Sequence, residues 1–465
     1  MELKRRAHRS PPWTRLGKVS RVVVAHNPVG PADDPSTSDV LAQVELVAGA
    51  LAELGVAVTR LAVADWRIWE DLQGLGTIHG LGSPGILGTA GGPALDPGTV
   101  VFNLVEAPPG MPGVHPATAA VLELLGLPFS GSSAAALWLS TDKLATRAVL
   151  AAEGLPVPAG GRLDGLGDPF GHGSHRRDGR DQRDGRDGPN GRHGHGGHGG
   201  AEVLDRVPPP WILKPACEDA SLGLDGDAVC ATREAALARA AELLRRFPGQ
   251  PLVVERYLPG RELNVSLLAA PAAREPRLGQ SHDPRHPRHP RHPPIVLPVA
   301  EIEFVDYPPG MPRIVGYEAK WQPDSFAYTH TVRRFPSEAA AAPLLEEARR
   351  LALAAWRACG LSGYGRVDLR LDERGAPHVL EVNANPCLAA DAGFMAAAEE
   401  AGLTAAEVIS RILADAVARH RGDRRERVDR RDRVDHLERV DRADRRERRQ
   451  AAPAPSLPLA GGVLL

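Results

Sequence analysis

Two short alternating runs, Gly365-Arg-Val-Asp-Leu-Arg-Leu371 and His378-Val-Leu-Glu-Val382, flank the turn-forming Asp372-Glu-Arg-Gly-Ala376. Strand side chains alternate between faces, so this pattern predicts a β-hairpin. Alternation places Arg366 and Asp368 on one face and groups Glu381 with Asn383, so that pairing the strands opposes them as an oxygen-rich cluster. Two carboxylates and an amide oxygen are the hard donors that Mg²⁺ (or Mn²⁺) takes, phosphate and water oxygens completing the octahedron. Arg366 beside them suits phosphate or a developing oxyanion. The plain alternative for this string alone is a surface hairpin that happens to carry charge.

Upstream, the apolar periodicity predicts an α/β domain over 16–130. Val19–Ala25 reads as a buried strand, and Asp39–Leu54 carries Val40, Val44, Val47, Leu51 and Leu54 at helical spacing. Val56–Val63 and Thr99–Val105 read as further strands, the last ending at Glu106 before a Pro/Gly loop. Strand ends of this kind commonly carry sites in open α/β sheets. Helices are expected over His115–Leu125 and Thr141–Ala152, the second capped by Thr141 or Asp142. A strand at Trp211–Pro215, a helix over Arg233–Arg246 and strands Leu252–Leu258 and Glu262–Ala269 make an α+β lobe within 131–270. Val296–Val305, a helix over Ala339–Cys359, the hairpin, and helices Ala392–Glu400 and Ala405–Arg419 make a second lobe within 271–420.

Low-complexity blocks interrupt this plan at about 162–205 and 275–294, and a charged tail occupies 421–465. They hold too little apolar surface to offset their ordering entropy, so disorder is expected in all three. His193, His195 and His198 have chelating spacing, which leaves incidental metal binding or storage as a reading of the first block. The net charge of -2 gives no field that would draw nucleic acid or an anionic membrane. No apolar run reaches the ~20 residues of a membrane span. The four scattered cysteines suit a reducing compartment, so a cytoplasmic location is expected.

The hairpin string together with Ser140-Thr-Asp-Lys143, Trp211-Ile-Leu-Lys214-Pro, Val253-Val-Glu255-Arg-Tyr257-Leu258, Gly260-Arg-Glu262 and Glu381-Val-Asn-Ala-Asn-Pro386 resembles the ATP-grasp superfamily. The match is nearest to its D-alanine–D-alanine ligase branch and covers most of the chain outside the inserts, the first residues and the tail. The resemblance implies ATP bound between two lobes, Mg²⁺ on Asp368, Glu381 and Asn383, and a carboxylate activated as an acyl phosphate. It implies adenine and ribose contacts from Glu255, Tyr257, Leu258 and Glu262, and phosphate contacts from Lys143, Lys214 and Lys320. Ser221 and Gly223 of Cys217-Glu-Asp-Ala-Ser-Leu-Gly-Leu fall where the branch has its mobile phosphate-covering loop. Amino acids or peptides are the implied substrates, a homodimer is one implied assembly, and peptidoglycan biosynthesis is one implied context.

Two departures stand out. Gly316-Tyr-Glu-Ala-Lys320-Trp321 has tryptophan where the branch has a tyrosine that shares a hydrogen-bonded relay with the loop serine and an acidic residue. Asp39 is the nearest acidic candidate, but indole has no acceptor and cannot pass a proton. The segment Cys387-Leu-Ala-Ala-Asp-Ala-Gly393 also matches poorly the loop that seats the second amino acid, and Cys387 has no basic neighbour to make it a nucleophile. Two readings therefore stand beside the ligase: an ATP-grasp ligase with another acceptor, and a non-catalytic nucleotide sensor.

Overall fold

In the computed structural model of the chain, residues 19–29, 35–63, 98–166, 200–270 and 293–422 are described. Most of the inserts expected at about 162–205 and 275–294, the His193–His198 tract and the expected tail from 421, save its first two residues, lie outside them. Internal contacts divide the chain into Met1–Val417 and Ala418–Leu465. Among the described residues the first unit holds three sheets.

The first sheet is parallel, with β1 (Arg21–His26) between β2 (Ala57–Ala62) and β3 (Thr99–Leu104). Helix α1 (Pro35–Glu53) turns Val40, Val44, Val47 and Leu51 inward, against Val22, Val24, Val100 and Phe102 of the sheet. These helix positions recur at steps of three and four, which is why this segment buries one stripe. At the C-terminal sheet edge, Asn27 clasps Glu106: its Oδ1 accepts from the Glu106 amide at 2.7 Å and its Nδ2 donates to the Glu106 carbonyl at 3.0 Å. That pairing fixes the strand end from which Glu106 projects.

After α2 (Val114–Leu124) come α3 (Ala134–Thr141) and α4 (Lys143–Ala152), with Asp142 capping α4 through the Leu144 and Ala145 amides. The four-stranded antiparallel sheet runs β4 (Gly160–Leu163), β7 (Leu252–Arg256), β5 (Trp211–Pro215), β6 (Val229–Cys230). Helix α6 (Arg233–Arg246) presses Ala236, Ala240 and Leu243 against Leu213, Leu252 and Val254. The opposite face is left to Lys214, Val253 and Glu255.

The largest sheet follows the order β11 (Thr331–Arg334), β10 (Ala300–Phe304), β8 (Glu262–Leu268), β12 (Tyr364–Leu371), β13 (Pro377–Asn383), with β9 (Ile295–Val296) added on β8. Helix α9 (Glu338–Ala358) covers one face, packing Leu351, Ala352, Ala355 and Trp356 on Leu263, Val265, Leu267, Val367 and Leu369. Alternation then forces the even positions of β8 and β12 onto the other face. Register sets Glu262 opposite Arg370, Asn264 opposite Asp368 and Ser266 opposite Arg366. Across the hairpin it sets Arg366 opposite Asn383 and Asp368 opposite Glu381.

Three expectations need correction. The block expected to be disordered over about 162–205 is invaded from both ends, by β4 and by the short helix α5 (Val203–Arg206), whose Val203 and Leu204 join Leu163 in the core of this lobe. The strand expected over Val296–Val305 is two strands, because Pro298 has no N–H to give a ladder. Short helices α7 (Tyr317–Trp321) and α8 (Phe326–His330), like α3, went unforeseen. Helix α10 (Gly393–Glu400) and a last helix starting at 405 match expectation.

Candidate active site

The hairpin brings the four predicted groups together. Arg366 grips Asp368 with two parallel bonds, Nε to Oδ1 at 2.7 Å and Nη2 to Oδ2 at 2.8 Å. Asn264 donates to Oδ1 at 2.9 Å and Asn383 to Oδ2 at 3.1 Å. All four acceptor directions of that carboxylate are thus filled. Glu381 lies alongside and meets Lys143 Nζ at 3.3 Å. Sequence reading missed Asn264, although its alternation with Glu262 on one strand already put it on this face.

Cations converge on Glu381. Burial alone would raise this acid, but Lys143, Lys214, Lys320 and Arg366 outweigh it and hold the carboxyl down to about 2. Lys143 also donates to the Glu218 carbonyl at 2.5 Å and lies 3.8 Å from Asp219. Lys214 pairs with Glu255 at 2.9 Å, and Arg147 reaches the other oxygen of Glu255 at 3.2 Å. Lys320 is different: among the described residues it forms no ion pair or side-chain hydrogen bond. Burial and repulsion from Arg366 lower its ammonium below the usual lysine range despite Glu381, Asp368 and Glu262 nearby. A partly buried cation beside other cations is stabilised by an added anion.

Farther along this face, Glu262 pairs with Arg370 at 2.7 Å, and Arg370 donates to the Leu258 carbonyl at 2.6 Å and to the Tyr257 hydroxyl at 3.2 Å. Arg370 also donates to the Arg313 carbonyl. Tyr257 and Leu258 lie just past the end of β7, where the chain leaves the sheet. Arg370 is therefore the organiser of the predicted Tyr257, Leu258 and Glu262 contacts. Its place in Gly365-Arg-Val-Asp-Leu-Arg-Leu371 was the available signal.

The loop after β5 reaches across to the C-terminal lobe. Ala220 and Ser221 adopt positive φ, 56° and 62°, and Gly223 has φ 76°. The tight turn carries Ser221 Oγ to the Val315 carbonyl at 2.9 Å, Trp321 Nε1 to the Ala220 carbonyl at 3.0 Å, and the Tyr317 amide to the Leu224 carbonyl at 2.7 Å. Gly316 makes the approach feasible, because a Cβ there would sit 2.6 Å from the Leu224 oxygen.

The relay of the resembled branch, which tryptophan at 321 was expected to preclude, does not form through Asp39, Ser221 and residue 321. Ser221 gives its proton to Val315, Trp321 gives its own to Ala220, and Asp39 accepts from the Cys387 thiol at 2.9 Å. The physical reason is the one-way indole donor, which leaves the serine without an acceptor on residue 321. Burial and the adjacent Asp39 push the Cys387 thiol well above its ordinary value, opposite to what a nucleophile needs. Asp39 is itself raised, chiefly by burial. Glu106 stands nearby, with Gln43 Nε2 donating to it at 2.8 Å, and is raised to about 7 by burial with help from Asp39 and Asp219.

Comparisons with known proteins bear on this arrangement. A family model for the D-ala D-ala ligase C-terminus matches residues 295–414, which include β10 to β13. The D-alanine–D-alanine ligase of Coxiella burnetii superposes with a TM-score of 0.57 at 15% identity, over 90% of this chain and 99% of that one. This is the ATP-grasp fold of the D-alanine–D-alanine ligases. The ATP-grasp likeness extends to the enzyme of Bacillus anthracis complexed with ATP, with a TM-score of 0.56, 15% identity, and coverage of 87% and 99% of the two chains. In sequence, the D-alanine–D-alanine ligase of Bordetella avium (strain 197N) is 28% identical over 304 residues, 65% of this chain and 74% of its own. That of Synechococcus sp. (strain JA-3-3Ab) is 28% identical over 319 residues, 69% and 76% of the two chains.

Proposed function

We propose that this chain is an ATP- and Mg²⁺-dependent ligase that joins an amino-acid carboxylate to an amine through an acyl phosphate, with D-alanine as the first substrate to try. The observation that carries this reading is the convergence of Lys143, Lys214, Lys320 and Arg366 on Glu381, together with the unpaired ammonium of Lys320. That arrangement is costly for an empty protein and favourable around a triphosphate.

The donor set fits a magnesium ion. Among the described residues Glu381 offers a carboxylate engaged only by Lys143, and Asn383 keeps its amide oxygen after its nitrogen has gone to Asp368. Asp368 joins them once Arg366 turns aside, since its lone pairs are otherwise full. When bound, the ion neutralises charge on the phosphate oxygens. Among the described residues no group of three or more His, Cys, Asp or Glu could hold a metal, and this set would add the Asn383 amide oxygen to two carboxylates.

The chain's own residues then divide the work. Lys143 and Lys214 hold phosphate oxygens, Lys320 offsets charge on the phosphoryl group in flight, and Arg366 stabilises the oxyanion formed when the amine attacks. Glu255, Tyr257, Leu258 and Glu262 border adenine and ribose. The loop carrying Ser221 excludes water, which would otherwise hydrolyse the acyl phosphate. Asp39 sits at the acceptor end, held by Cys387 rather than by a relay.

The test is phosphate release from ATP with a panel of D- and L-amino acids, followed by mass spectrometry of the products. An amide product with matching phosphate supports the ligase; ATP binding without turnover on any amino acid would favour a nucleotide sensor.

A further inference from the structure

We propose that Arg333 anchors the carboxylate of the amine-bearing acceptor. Three observations place it there. Arg333 on β11 is opposite Ile302 on β10, Ile302 is opposite Glu262 on β8, and Glu262 is opposite Arg370 on β12. Directly opposed residues share a sheet face, so Arg333 projects from the same face as Asp368, Arg366 and Glu381.

Its guanidinium crosses to the loop that follows the metal-binding hairpin. Nη2 donates to the Asp391 carbonyl at 2.8 Å, and a Cβ on Gly393 would stand 3.4 Å from Nη1, so the glycine leaves the guanidinium room. Among the described residues no carboxylate lies within ion-pair distance of Arg333. Burial and the nearby Arg366 lower its guanidinium below the usual arginine range, with Asp391 offsetting part of this. The site therefore has charge to spare for an anion.

The other side of the same loop is acidic. Cys387 donates to Asp39, and Gln43 links the Leu388 amide at 3.1 Å to Glu106 at 2.8 Å. A loop bordered by an unpaired arginine on one side and by Asp39 and Glu106 on the other suits a zwitterion, its carboxylate on Arg333 and its amine toward the acids. ATP phosphates do not compete for this arginine, because Lys143, Lys214 and Lys320 already gather at Glu381. Arginine is the apt residue, since its planar fork meets a carboxylate with two parallel bonds.

The inference rests on the ligase reading and separates from it in one experiment. Steady-state product formation by the full chain is measured with the acceptor amino acid and with its carboxamide, for wild type, Arg333→Met and Arg333→Lys, each checked for an unchanged melting temperature. Arg333→Met is expected to raise KM for the amino acid roughly ten- to a hundred-fold, with KM for ATP and for the carboxamide unchanged. Arg333→Lys is expected to fall between and keeps the test available should the methionine variant not fold. Equal KM values for the amino acid in all three proteins would overturn the anchor while leaving the ligase intact. An equal rise in KM for ATP would assign Arg333 to phosphate instead and also overturn it. A wild type that forms no amide removes the ligase reading, and the anchor with it.

Discussion

Truncating Arg366 to alanine separates two uses of one side chain. If the guanidinium meets the oxyanion, turnover falls by two or more orders of magnitude, the effect of losing about 3 kcal/mol of transition-state stabilisation. Nucleotide affinity, measured by calorimetry on the same variant, should change far less. An equal loss of both would mean that Arg366 only orders Asp368. Glu106 gives a prediction of a different kind, because its acid is raised from 4.5 to about 7 in the folded chain. The unfolded chain binds fewer protons between those values, so the stabilising contribution of protonated Glu106 is complete below pH 4.5 and is lost as pH rises through 7. Glu106→Gln should therefore flatten the melting-temperature profile over that window, by at most about 3 kcal/mol in stability. A profile identical to wild type would contradict the shift. Alternation was enough to read Arg366, Asp368, Glu381 and Asn383 from the sequence, because register on a hairpin is local. The partners Asp219 and Arg333 come from distant strands and loops, and no local pattern announces such contacts; Asn264 had a local signal in its alternation with Glu262.

Among the elements, the roof formed by residues 217–224 is held by contacts from α7 and the segment before it. Trp321→Phe keeps the ring and removes the Nε1 donor to Ala220, a bond worth about 1 kcal/mol. The closed roof should lose population roughly fivefold relative to the open one. More ATP should then be hydrolysed per amide formed, a ratio read by parallel assays of phosphate and product. An unchanged ratio would show that the indole is only packing. The elements legible beforehand were those with a strong period or cap, such as α6, whose expected and observed bounds agree, and α4 behind Asp142. The missed ones are short: α7 and α8 have five residues each, too few for a period to show. At β4 and α5, local apolar residues lie against a long Gly/Arg/Asp/His block that dominates the composition, and only packing with Leu163 reveals them.

At the scale of the whole molecule, the fold brings together groups that the chain keeps far apart: Lys143 from the first third of the sequence, Lys214 from its middle, Lys320 and the hairpin from its last third. The order of motifs made this ATP-grasp plan readable, since each lobe is built largely from contiguous segments. The proposed acceptor end was not readable in the same way, because its residues come from α1, the end of β3, β11 and the loop after Asn383. The central claim is that a carboxylate oxygen passes to phosphate before the amide forms. Reaction of a donor amino acid labelled with ¹⁸O in its carboxylate tests this directly, by mass spectrometry of the released phosphate. One labelled oxygen per phosphate, in amount equal to the amide, is the predicted result; amide formation with unlabelled phosphate would contradict it.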